Sequence, residues 1–128
     1  MKDKFYETYQ GKVLEDAGAY MSKDATMFFR AMRSALKKRF NEFGINLVEF
    51  SIGHYDMSAF VEKNGKYIYI SYSVARFGMP INLDRNDALE GFLYRTAEGL
   101  KDYSGGRNNF CCWKEIADSV NQLFSRSM

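Results

Sequence analysis

The chain contains a single histidine, His54, and two residues further on stands Asp56. An imidazole that moves a proton and a carboxylate that orients it are the smallest set for acid/base chemistry, provided they come within hydrogen-bond reach. Counting back by twos from Phe60 places Ser58, Asp56 and His54 on one side of a strand, a spacing that does not bring the pair together. The histidine is therefore expected to be structural. Cys111 and Cys112 are the nucleophile candidates, at the start of a C-terminal helix whose amide dipoles would lower a thiol pKa. No base lies near them in sequence, and adjacent cysteines bridge only through a strained ring, so two free, packed thiols are expected. Asp84, Asp87 and Glu90 do not follow the oxygen spacing of a calcium loop, and a helical turn with exposed acids is the simpler reading. No catalytic residue, metal ligand or cofactor is assigned.

Cations offer a second kind of chemistry. Arg30, Arg33 and Lys37 follow one another at i, i+3 and i+7, with Lys38 and Arg39 beside them, which makes a basic helix face. Such a face either is simply solvated, with cations suited to the C-terminal end of a helix dipole, or meets an anionic partner. Lys101 and Arg107 flank Gly105-Gly106, where converging amides would suit a phosphate, but the GK[ST] ending of a P-loop is missing and a structural turn is the better reading.

The elements that position these residues are organised around Asn64-Gly65. Two runs rich in β-branched and aromatic residues, Asp56 to Lys63 and Lys66 to Ser73, flank this pair, whose residues tolerate the positive φ of a type I′ turn. A two-residue loop sets Lys63 opposite Lys66, and counting outward separates two faces. Val61 with Ile68, Ala59 with Ile70 and Met57 with Tyr72 form a core face. Glu62 with Tyr67, Phe60 with Tyr69 and Ser58 with Ser71 form a mixed one. Phe60, Tyr67 and Tyr69, with Asp56 and His54 at the far end, are the candidate partner-binding residues, unless another segment covers the rings.

Upstream, residues 1–20 read as a short helix or an ordered arm. Residues 23–43 read as a long helix, with Ser22 as its N-cap and Gly44 closing it; Ala25, Phe28, Phe29, Met32, Leu36, Phe40 and Phe43 share its core arc. Ile45 to Ile52 alternates as a strand, with Val48, Phe50 and Ile52 on one side and Leu47, Glu49 and Ser51 on the other. The 75–90 segment carries Phe77, Met79, Ile81 and Leu83 and reads as a long excursion or a binding element. Residues 91–97 form the last expected strand, and a helix from about Trp113 to Ser125 closes the chain.

At 128 residues, 46% of them hydrophobic and 27% charged, this is one domain large enough to bury a core without metal or disulfide. A net charge of +2 is too mild to announce nucleic acid by itself. The opening MKDKFYETYQGK lacks the apolar core of a secretory signal and no run approaches a membrane span, so a cytoplasmic protein is expected. The fold expected is α+β: an antiparallel sheet of about four strands around the Asn-Gly hairpin, with a long helix in the N-terminal half and a C-terminal helix on one face. Helix-strand-strand-strand-helix is also the order of double-stranded-RNA-binding domains, but the last helix begins Trp113-Lys114-Glu115, without their lysine cluster.

Leu93-Tyr94-Arg95-Thr96-Ala97, Lys101-Asp102-Tyr103-Ser104-Gly105-Gly106 and Asn108, together with Gly53-His54-Tyr55, Tyr69-Ile70-Ser71 and Val74 to Phe77, give residues 45–125 a family likeness. The chain resembles small uncharacterised proteins of phages, plasmids and conjugative elements of gut Firmicutes. The resemblance carries no assigned activity. It implies a mobile-element setting, in which small proteins such as the anti-CRISPR proteins bind and block host defence enzymes. The leading expectation is thus a non-enzymatic inhibitor, monomeric or homodimeric, that binds a host protein or protein–nucleic acid complex. Direct nucleic-acid binding through Arg30, Arg33, Lys37 and Lys38 is the alternative, and an enzyme using His54/Asp56 or a thiol is third.

Overall fold

The computed structural model describes residues 3–14, 23–53, 56–74, 80–103 and 106–127. Helix α1 (Lys4–Tyr9) is followed by α2 (Lys23–Asn41), then by strands β1 (Asn46–Ile52), β2 (Asp56–Lys63), β3 (Lys66–Ser73), β4 (Phe92–Ala97) and β5 (Asn109–Cys111). A 3-10 turn, Trp113–Glu115, leads into α3 (Ile116–Ser127). The strands form one antiparallel sheet in the order β1-β2-β3-β4-β5, a meander in which every neighbour in space is a neighbour in sequence.

The central hairpin has the expected register, from Lys63 opposite Lys66 to Asp56 opposite Ser73. Asn64 and Gly65 have φ values of 52° and 79°, the left-handed pair that a type I′ turn requires. Glu62 reinforces the turn: its carboxylate accepts from the Gly65 N–H at 2.9 Å and from the Asn46 side-chain amide at 3.0 Å.

Two features differ from the sequence expectation. The sheet has five strands rather than about four, because Asn109–Cys111 pairs with β4 through Tyr94, Leu93 and Phe92. Three residues are too few to display an alternation. In β1 the pairing shifts between Leu47 and Glu49, leaving Val48 as a bulge, 45% exposed. The extra residue reverses the side-chain parity, so Leu47 rather than Val48 joins Phe50 and Ile52 against the core.

The inner face buries Met57, Ala59 and Val61 of β2, Ile68, Ile70 and Tyr72 of β3, and Phe92 and Tyr94 of β4. Helix α2 lays Ala25, Phe28, Phe29, Met32, Leu36 and Phe40 against it, and α3 adds Ile116, Ala117, Val120 and Phe124. The stop after α2 works as its glycine suggests: Gly44 has φ 71° and its N–H donates to Asn41 O, while the Ile45 N–H returns to Phe40 O at 3.0 Å. Ser22 lies outside the described residues. Phe43 falls beyond the helix and is only partly buried.

An aromatic cluster joins the N-terminal elements to the sheet. Trp113, fully buried, has ring centroids of Phe5 at 4.5 Å and Phe92 at 5.8 Å, and Phe28 lies 5.0 Å from Tyr9 and 6.0 Å from Tyr72. The Trp113 indole N–H donates to Asp3 Oδ2 at 2.6 Å, and the other oxygen of Asp3 caps α1 through the Tyr6 N–H. Residues 1–20 therefore include a short helix. Of the 75–90 segment, Ile81 and Leu83 are core residues rather than surface anchors. Ile81 exchanges backbone hydrogen bonds with Gly11 and Lys12, and Leu83 O accepts from the Trp113 N–H. Phe77 and Met79 lie outside the described residues.

Candidate functional site

On the outer face of the sheet, the register sets Glu49, Phe60, Tyr69 and Arg95 side by side across four strands. The rings of this row are not open. Tyr103, from the β4–β5 connection, stands edge-on to both Phe60 and Tyr69, at 5.4 Å and 5.7 Å, and the Arg95 guanidinium covers Tyr69 at 4.5 Å from the ring centroid. Arg95 also donates to the backbone oxygen of Tyr103 and, at 3.0 Å, to Asn108 Oδ1, which ties the connection down over the sheet. As a result Phe60 is 1% exposed, and Tyr67 and Tyr69 are partly buried. Of the three rings expected to present themselves together, Phe60 and Tyr69 instead make a second, small core beneath Tyr103, itself 50% exposed, and Tyr67 stands outside that cluster. The sequence singled out the buried rings and missed their cover, because nothing in the local pattern of Lys101 to Arg107 says which face of the sheet that loop crosses. Asp56 is exposed at the end of the same face, and His54 lies outside the described residues.

The thiol chemistry is disfavoured. Burial pushes the Cys111 thiol up to about 12. Burial also raises Cys112, and its Sγ donates to Glu115 Oε1 at 3.2 Å, which holds the proton on sulfur. The helix-start position was expected to lower a thiol pKa; desolvation and the neighbouring carboxylate prevail over the amide dipoles.

The acids of the 75–90 segment are held within the fold. Asp84 accepts from the Tyr6 hydroxyl at 2.9 Å, and Asp87 pairs with Arg85 at 2.7 Å and accepts from the Leu89 and Glu90 N–H groups. Glu90 is not an exposed acid but is 8% exposed, accepting the Asn82 N–H at 2.6 Å, and burial raises its pKa. No cluster of metal-ligating side chains occurs among the described residues.

The basic face of α2 is where charge collects without a partner. Between Met27 and Asn41 the exposed positions are Met27, Arg30, Arg33, Ser34, Lys37, Lys38 and Asn41, and none is acidic. None of Arg30, Arg33, Lys37 and Lys38 makes a hydrogen bond or ion pair with another described residue. Arg39, grouped with them by sequence, behaves differently. Its guanidinium donates to Trp113 O at 2.6 Å and Lys114 O at 2.7 Å and lies 4.9 Å from the Trp113 ring centroid, clamping α2 to the turn before α3. The free cations form one stripe because the opposite arc of α2 is spent on the core, and helical periodicity leaves i, i+3 and i+7 together outside. From Arg30 to Lys37 the stripe covers roughly 10 Å of helix axis. No described helix is long and apolar enough to cross a membrane. Comparison of the chain with protein-family models, curated proteins and solved structures gives no match.

Proposed function

We propose that this chain is a non-enzymatic binding protein that engages a polyanion, nucleic acid in the first instance, through the exposed cations of α2. The observation that carries this reading is the acid-free stripe of Arg30, Arg33, Lys37 and Lys38, unpaired among the described residues on a helix anchored along its other side. Roughly 10 Å of helix axis matches about three successive phosphates of one strand of a duplex. The closed aromatic row moves the recognition surface away from the hairpin, and the protonated thiols argue against nucleophilic catalysis.

The test is fluorescence anisotropy with a labelled oligonucleotide. About three phosphate contacts imply roughly a fortyfold loss of affinity between about 50 and about 200 mM salt. Arg30→Glu with Lys37→Glu should abolish binding and leave thermal stability unchanged. Absence of binding at low salt removes the proposal.

A second reading is favoured by the apolar side chains that Leu100, Tyr103 and Phe110 expose at 48%, 50% and 37%. In that reading the protein is a cytoplasmic inhibitor encoded by a mobile element, and these residues anchor a host protein of a nucleic-acid-handling defence complex. A pull-down from host lysate that recovers no stoichiometric partner counts against it.

A further inference from the structure

A cleft of about 330 Å³ opens at the C-terminal end of α3, between Thr96 of β4, the Arg107-Asn108-Asn109 segment, and Leu123 and Arg126 of α3. Among the described residues, its lining includes two arginines, Arg107 and Arg126, and no acidic side chain. Both arginines are exposed, and neither guanidinium makes a hydrogen bond or ion pair with a described residue. Two like charges on the lining of one hollow repel each other, and an anion bound between them offsets that repulsion.

The polar lining is oriented from behind. Asn108 Oδ1 accepts from Arg95 at 3.0 Å, which leaves the amide N–H groups of Asn108 to donate elsewhere. Asn109 Nδ2 donates to Tyr94 O and to Arg107 O, fixing the backbone of the residue that carries one guanidinium. Gly106 brings that segment against β4: it has φ 78°, and a Cβ there would lie 2.5 Å from Thr96 O and 2.7 Å from Thr96 Oγ1. The approach available only to glycine sets the residue before Arg107 against Thr96, and Thr96, Arg107 and Arg126 line the same cleft. Leu123 supplies one apolar wall.

From this arrangement we infer a binding site for a phosphate monoester. Two arginines on one cleft, with additional N–H and O–H donors, suit the double negative charge of a phosphate better than the single charge of a carboxylate, and arginine binds phosphate oxygens in bidentate fashion. The volume falls within the range of small-ligand sites, large enough for a phosphate with a compact organic group against Leu123. The site shares no residue with the α2 stripe and stands independently of the function proposed for it.

Two-dimensional amide NMR on the full chain tests the assignment, with inorganic phosphate, a nucleoside 5′-monophosphate and the matching nucleoside as probes. Phosphate and the monophosphate should give saturable shifts at the amides of Thr96, Asn108 and Asn109, and the nucleoside none. Tighter binding of the monophosphate than of phosphate identifies an organic ester as the ligand; equal binding identifies the free anion. Arg126→Ala and Arg107→Ala should each weaken binding about tenfold or more, with the melting temperature unchanged because both side chains are exposed. Arg30→Glu with Lys37→Glu should leave it intact, which separates this site from the α2 stripe. No saturable shift up to about 10 mM phosphate, a millimolar affinity being the weakest a built site would show, overturns the inference. Shifts that survive in the Arg107→Ala/Arg126→Ala double variant overturn it equally.

Discussion

Arg95 lies over Tyr69, its guanidinium carbon 4.5 Å from the ring centroid, while the same group holds the backbone of Tyr103 and the side chain of Asn108. One side chain on β4 thereby converts an open row of rings into a covered one.

Phe60 therefore behaves as a core residue although it faces away from the main core. Phe60→Ala should cost about 3–5 kcal/mol, as for other buried aromatics. Tyr103→Ala, which removes the cover and leaves the sheet intact, should cost about 1 kcal/mol. Urea denaturation of both variants checks the contrast; similar small losses would show that the row is open in solution.

Neighbouring cations on α2 should separate cleanly. Arg39→Ala removes two hydrogen bonds to carbonyl oxygens and the contact with Trp113, a loss of about 1–3 kcal/mol. Lys38→Ala should change stability by less than about 0.5 kcal/mol. Denaturation midpoints at one pH measure both, and equal effects would refute the clamp.

The pH dependence of stability should carry two opposed contributions. The Asn46 amide, and then the Gly65 N–H, hold the Glu62 carboxyl below its ordinary range. The stabilisation it gives is present above the unfolded pKa and is lost as pH falls through the folded value. Burial raises Glu90, so the folded state binds that proton more tightly than the unfolded chain, and stability falls as pH rises from the unfolded pKa to the folded one. Glu62→Gln should flatten the acid limb, and Glu90→Gln should melt higher than the parent near pH 7, with the gap closing in acid. Melting temperatures between about pH 3 and pH 8 resolve the two.

Gly106→Ala should destabilise the fold by about 1–3 kcal/mol through its positive φ and the collision with Thr96. Gly65→Ala shares the positive φ but meets nothing within 4 Å, so it should cost less. Thermal melts of the pair separate backbone strain from collision.

What the chain displayed to a reader of its sequence followed the range of the interaction. Asn64-Gly65 and the alternation around it determine the hairpin register locally, and the apolar arc of α2 needs only helical periodicity; both appear as expected. The bulge at Val48 was hidden because an extra residue in β1 is defined only by its partner Phe60. Strand β5 is too short to signal itself. The cover of Tyr69 by Tyr103 and the place of Arg107 and Arg126 on one cleft each depend on where the β4–β5 connection runs, which no local pattern encodes. The basic stripe was legible as periodicity, but the separate role of Arg39 required the position of Trp113.

The bond from the Trp113 indole to Asp3 joins residues 110 apart in sequence. During synthesis from the N-terminus, Phe5 leaves the ribosome long before Trp113, and until that ring is made its aromatic partners among the described residues are Tyr9 and Phe28 alone. The hairpin can form early from its own neighbours, but the closing of the aromatic cluster is a late, long-range event. Between those two events one side of Phe5 lacks its cover, and transiently exposed apolar surface of that kind promotes aggregation.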